Sequence, residues 1–248
     1  MTDKTRVDEL LVERGLCETR AQAKQAVLAG WVRVDGAHVL KPSKMLGAGA
    51  KLALTESLKH VSRAGDKLLA CLQAFEIKVV DAIALDVGAS TGGFTDCLLQ
   101  KGAREVTCVD VGHGQLHPKL LKDSRVINFE KVNARYLSEY KLPHASYDLI
   151  VIDVSFISLT KILEPVWPFL KKSGKLIALI KPQFELDKDT IGRAGGVVKH
   201  AEQQEQVKET IVQFAISHLT GSQLIGSISS PITGTDGNRE FLMALCKG

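Results

Sequence analysis

No apolar run in the 248-residue chain approaches the roughly 20 residues of a membrane-spanning helix, so no membrane partner is expected. The opening MTDKTRVDE is polar and lacks the apolar core of a secretory signal, which leads to the expectation of a cytoplasmic protein. Paired cysteines are missing as well. Cys17, Cys71, Cys97, Cys108 and Cys246 stand singly, without the spacing of a zinc site or redox motif, so no metal is expected and most read as small core residues. His113 and His117 have a metal-like spacing, but Gly112 and Gly114 disfavour a helix through them, and a solvated loop is expected. Low-complexity stretches are also lacking. What is there is a globular composition, 45% hydrophobic and 24% charged, long enough for one large domain or an α/β domain with a small companion.

The stretch IALDVGASTGGFTDCLL, from Ile83 to Leu99, reads as a buried strand, a glycine-rich turn and the start of a helix. It too is defined by what it lacks. A dinucleotide fingerprint needs a glycine where Ser90 stands, and a Walker A loop needs a lysine that nothing between Gly88 and Phe94 supplies. What remains is a ligand suited to bare backbone amides, the hydroxyls of Ser90 and Thr91, and the positive end of a helix for a carboxylate. S-adenosylmethionine, with an amino-acid end and a ribose, has that shape. Gly88, Ser90, Gly92 and Gly93 would form the turn, and Asp110, ending the strand VTCVD, would hold the ribose hydroxyls. Asn133 in KVNAR is placed to approach the adenine, or equally to serve a turn. The plain alternative is an ordinary strand-to-helix turn with Asp110 capping a loop.

Downstream the chain alternates. Strands are expected at Ile83–Val87, Glu105–Asp110, Val126–Phe129, Tyr147–Asp153 and Lys175–Ile180, with helical segments near Gly93–Gln100, Leu159–Leu170 and Ala201–His218. An earlier helix is read in VSRAGDKLLACLQAFEIK. The alternation predicts an α/β fold with a mainly parallel sheet and helices on both faces. SQLIGSISS and REFLMALCK have no helix between them and should close the sheet as an antiparallel pair, a finish typical of class I methyltransferases. Asp153 ends YDLIVID and Lys181 ends LIALIK. Both would therefore sit at the carboxyl ends of strands, where α/β sheets bind ligands.

Residues 1–60 have their own character. They carry ten Lys/Arg against seven Asp/Glu, and so three of the four net positive charges. Thr5–Asp8 and Thr19–Gln22 look like capping boxes, each opening a short helix. After Gly30, WVRVDGAHVL alternates and turns at Asp35-Gly36, a strong hairpin signal, and KLAL adds a strand. This unit, about residues 5–56, resembles the S4-type RNA-binding domain through RVDELLVERGLCETRAQAKQAVLAGWVRVDG and KPS. The resemblance implies that Arg20, Lys24 and Arg33 face RNA. A polar joint, Thr55–His60, would separate an S4-like domain, 1–60, from a catalytic domain, 61–248.

Lys67 in SRAGDKL, Asp153, Lys181 in IKPQFE and Glu240 in NREFL together resemble the Lys-Asp-Lys-Glu set of FtsJ-type ribose 2′-O-methyltransferases. Joined to an S4 unit, the resemblance narrows to the TlyA, or hemolysin A, family and spans essentially the whole chain. The family usually has glycine where Ala64 stands, and Arg63 beside it joins the RNA-facing set. The resemblance implies S-adenosylmethionine-dependent methylation of a cytidine ribose in 23S rRNA, with 16S left open, on ribosomal subunits. Lys181 would take the hydroxyl proton or steer the hydroxyl, Asp153 would orient Lys181, and Lys67 and Glu240 would complete the network. Structural ion pairs at the rim are the competing reading of these four residues. A small-molecule methyltransferase and a noncatalytic RNA-binding or membrane-damaging protein remain the alternatives for the whole chain.

Overall fold

The structure, a computed structural model, describes residues 4–28, 31–54, 59–186, 196–234 and 237–248. Gly30 and most of the expected joint, 55–58, lie outside the described residues. Two compact units result, Met1–Arg63 and Ala64–Gly248.

In the first unit, β1 (Lys4–Arg6) leads directly into α1 (Val7–Glu13), followed by α2 (Arg20–Leu28). Next come β2 (Val32–Val34), β3 (Ala37–His38), β4 (Met45–Gly47) and β5 (Leu52–Leu54). β1 pairs with β4, while β3, β2 and β5 form an antiparallel sheet. Asp35 and Gly36 have φ of 50° and 85°, the left-handed pair that a tight two-residue hairpin turn demands. Val7, Leu11, Ala23, Val27 and Val32 are buried together between the helices and strands.

The second capping box forms, with Thr19 Oγ1 accepting from Gln22 N at 3.2 Å. The first does not. Thr5 belongs to β1, and no side chain caps α1. Asp8 is instead buried and accepts two hydrogen bonds from Arg6, which hold its carboxyl down to about 2. An ion pair satisfies a buried carboxylate more strongly than a cap at an exposed helix end would, and it displaces the expected motif.

The second unit opens with α3 (Ala64–Ala74). β6 (Ile83–Val87), α4 (Gly93–Gln100), β7 (Glu105–Asp110), α5 (Pro118–Leu121) and β8 (Val126–Glu130) follow. Beyond a 3₁₀ turn, Ala134–Glu139, come β9 (Tyr147–Ile152), α6 (Thr160–Val166), β10 (Leu170–Ile180) and α7 (Pro182–Glu185). The chain finishes with α8 (Ala201–His218), β11 (Ser222–Ser229) and β12 (Phe241–Lys247). α6 is shorter than expected: it gives way to a 3₁₀ turn at Trp167–Phe169, where Pro168 follows, and Leu170 already starts β10.

The seven-stranded sheet runs β11-β12-β10-β9-β6-β7-β8, parallel except for β12, which lies antiparallel between β10 and β11. β6 is buried along its whole length, as a central parallel strand covered on both faces must be. From β6 the chain first builds outward through β7 and β8, then returns to place β9 on the other side. The crevice at the carboxyl ends of β6 and β9 is thus a topological switch point, where α/β sheets bind ligands.

Candidate active site

A cavity of about 480 Å³ opens at that switch point, lined among others by Gly88, Ser90, Asp110, Asn133, Asp153 and Ser155. Gly88 has φ +84°, and a Cβ there would lie 2.6 Å from the carbonyl oxygen of Asp153, so only glycine lets the turn approach the end of β9. Asp110 is locked in place: Ser90 N donates to one carboxylate oxygen at 2.8 Å and Gly112 N to the other at 2.7 Å. Ser90, itself at φ +47°, donates through its hydroxyl to Gln115 Oε1 at 3.1 Å. Asn133 opens the 3₁₀ turn, accepting from Arg135 N at 3.1 Å, and it also lines the cavity.

Thr91, Gly92 and Gly93 are not among the cavity-lining residues. Gly92 is a glycine for a packing reason: at φ +90°, a Cβ would meet Leu120 Cδ1 at 2.2 Å. His117 corrects the solvated-loop expectation. It is buried, and its Nδ1 accepts from Lys119 N at 3.2 Å to cap α5; only His113 of the pair is exposed, beside Glu130.

Strand register assembles the four charged residues. Ile180 pairs with Phe241 across β10 and β12, so Lys181 and Glu240 flank the same end of neighbouring antiparallel strands. Asp153 directly follows β9, the strand beside β10. The four form two ion pairs: Lys181 Nζ lies 2.6 Å from Asp153 Oδ1, and Lys67 Nζ lies 2.5 Å from Glu240 Oε2. Lys67 and Glu240 are both buried. Gly234 lies against Glu240, where a Cβ would come within 2.5 Å of its Oε1.

In the first unit, Lys24 and Arg33 are exposed. Arg20 is engaged internally, paired with Asp8 at 3.2 Å and Glu9 at 3.0 Å. Arg63 is half-buried.

A family model described as FtsJ-like methyltransferase matches residues 60–247, and one described as S4 domain matches residues 5–52. The chain belongs to the FtsJ-like methyltransferase family. Over 247 residues it is 38% identical to the 16S/23S rRNA (cytidine-2′-O)-methyltransferase TlyA of Mycobacterium tuberculosis, covering 99% of this chain and 91% of that one. It is likewise 38% identical to hemolysin A of Brachyspira hyodysenteriae, over 96% of this chain and 98% of that one. A solved hemolysin-named structure from Streptococcus thermophilus superposes with a TM-score of 0.76 at 43% identity, covering 100% of this chain and 90% of that one.

Around this FtsJ-like site lie residues that sequence reasoning passed over. Asp86, one residue before the end of β6, is fully buried; burial pushes its carboxyl up to about 7, against the opposing hydrogen bond from Thr95 Oγ1 at 2.6 Å. An acid inside the apolar run IALDV was its visible signal. Phe156 has φ +65° and is 91% exposed, with its ring 5.0 Å from that of Phe184. Glu185 reaches across from α7 to accept from Leu159 N at 2.9 Å and Ser158 Oγ at 2.5 Å, tying together the segments that follow β9 and β10.

Proposed function

We propose that this chain transfers a methyl group from S-adenosylmethionine to the ribose 2′-oxygen of a cytidine in ribosomal RNA. The observation that carries the reading is the Lys181–Asp153 pair at the edge of a nucleoside-sized cavity. The curated relative in Mycobacterium tuberculosis, named for that reaction on 16S and 23S rRNA, supports it across nearly the whole chain.

The cavity suits the cofactor. Asp110, fixed by two backbone N–H groups, retains acceptor capacity for ribose hydroxyls. Gly88 supplies a wall without side chain, and Val109, Val111 and Val132 supply apolar surface for an adenine. Bound there, S-adenosylmethionine supplies a methyl group on a sulfonium sulfur, which the ribose oxygen takes as the carbon–sulfur bond breaks. The protein must hold the hydroxyl in line and accept its proton. Lys181 is the group placed to take that proton, and Asp153 stabilises the ammonium that results. Lys67 and Glu240 neutralise one another and brace the ribose side of the site. Phe156 offers a nearly free aromatic face on the cavity wall, suited to a base lifted from its stack. The S4 domain, with Lys24 and Arg33 exposed, supplies RNA affinity through phosphate contacts.

The test is to incubate unmodified ribosomal subunits with methyl-labelled cofactor and map the label. The expected result is a 2′-O-methylcytidine, absent with Lys181→Ala. Label on a base, or none on any rRNA, would overturn the reading.

A further inference from the structure

We propose that Ser155 is a positioning residue for Lys181: it fixes the direction in which the lysine nitrogen presents its lone pair to the ribose hydroxyl. The inference rests on Lys181 being the group that takes the hydroxyl proton. Lys181 Nζ donates to Ser155 Oγ at 2.9 Å. Its contact with Asp153 is of a different kind. The two groups lie 2.6 Å apart, yet Asp153 Oδ1 is buried and receives no aligned hydrogen bond among the described residues. Asp153 therefore sets the charge around the nitrogen, and Ser155 sets its orientation. The Phe184 ring, 5.9 Å from the nitrogen, bounds a further side.

Proton accounting makes that orientation matter. A neutral lysine amine has two N–H bonds and one lone pair, free to rotate about the final C–N bond. Only one rotamer aims the lone pair at a substrate. With one N–H held by Ser155 Oγ two rotamers remain, and the one that turns the second N–H toward Asp153 leaves the lone pair for the substrate. During transfer, the oxygen of the ribose hydroxyl keeps the O–H bonding pair and uses a lone pair to bond the methyl carbon. The C–S pair stays with sulfur, and the hydroxyl proton passes to the lysine lone pair. The ammonium formed beside Asp153 afterwards returns its extra proton to solvent. Throughout, Ser155 accepts and gives up nothing.

Ser155 is well placed for a clean test, because it is exposed, lines the cavity and takes no part in the core. The experiment uses the full chain and ribosomal subunits, with single-turnover rates at saturating cofactor and RNA. S155A should slow methyl transfer about ten-fold, the worth of one hydrogen bond that acts in the transition state. Its melting temperature and its affinities for cofactor and for RNA should match the parent protein. S155T, which keeps the hydroxyl, should restore the rate to within about three-fold. In a double-mutant cycle, S155A added to K181A should cost nothing more, since its effect passes through the lysine.

A normal rate for S155A while K181A is inactive would overturn the inference and leave the role of Lys181 standing. So would an S155A defect in RNA affinity equal to its defect in rate, which makes Ser155 an RNA contact. Failure of S155T to rescue, or an additive loss in the double variant, also counts against it. Normal activity in K181A would remove the lysine itself from the reaction, and the inference with it.

Discussion

Lys67→Met should be severe for reasons that precede chemistry. Lys67 and Glu240 are both buried and lie 2.5 Å apart, so removing the ammonium leaves a carboxylate with 2% exposure and no countercharge. Breaking a buried pair from one side costs about 3–5 kcal/mol. In a unit the size of Ala64–Gly248, each kcal/mol lowers the melting temperature by about 2–4 °C, so the expected loss is roughly 6–20 °C. Replacing both partners, as in Lys67→Met with Glu240→Met, removes both desolvated charges and should recover all but about 1–2 kcal/mol of that loss. The recovered protein should bind cofactor yet methylate nothing. Thermal unfolding, cofactor calorimetry and single-turnover methylation separate the two contributions. If Lys67→Met alone melts within about 3 °C of the parent, the pair is not the buried, charged contact described, and the reasoning fails.

Other outcomes follow from the same geometry. Lys181→Ala should abolish transfer while sparing cofactor affinity, and Lys181→Arg should also fail, because a guanidinium does not release a proton at working pH; normal single-turnover rates in either would contradict this. Asp86, pushed up to about 7 by burial, holds a proton in the native state that the unfolded chain releases near pH 4. Its contribution to stability is therefore full below about pH 4 and is lost as pH rises through about 7. In unfolding measured from pH 4 to 8, Asp86→Asn should remove that decline, and a constant difference between the two proteins would refute it. Gly88→Ala forces a Cβ to 2.6 Å from the Asp153 carbonyl at positive φ, so cofactor affinity should fall at least about ten-fold; calorimetry showing parental affinity would rule out the close approach. Removing residues 1–63 should leave cofactor binding intact and cut methylation of ribosomal subunits sharply, an effect that disappears if the shortened chain modifies the same position at full rate.

The parallel strands were legible because their signal is local: IALDV and YDLIVI are apolar runs bounded by turn residues, and DG at Asp35-Gly36 dictates its own backbone. The end of α6 was obscured because Trp167 and Phe169 continue an apolar pattern that 3₁₀ turn and strand share. The capping box at Thr5 failed for a non-local reason, since Thr5 is drawn into β1 by pairing with β4, and Asp8, already bonded to its neighbour Arg6, gains Arg20 once α2 packs on α1. The same limit governs the site. Strand ends could place Asp153 and Lys181 near one another, whereas the pairing of Lys67 with Glu240, the burial of Asp86 and the hydroxyl of Ser155 at the lysine depend on register and on side-chain reach.

β12 enters the sheet last in sequence and runs against its neighbours, so its first residues arrive at the end of the sheet where the other strands finish. Glu240 thereby meets a lysine 173 positions earlier. Closing a loop of that length costs more chain entropy than pairing the locally connected β6, β7 and β8. The cofactor cavity draws its lining from residues 88 to 162, whereas the charge network is finished only by the final strand. The cavity and the charge network thus rest on different stretches of the chain. A change confined to Glu240 should therefore leave the cavity lining intact while removing a member of the charge network.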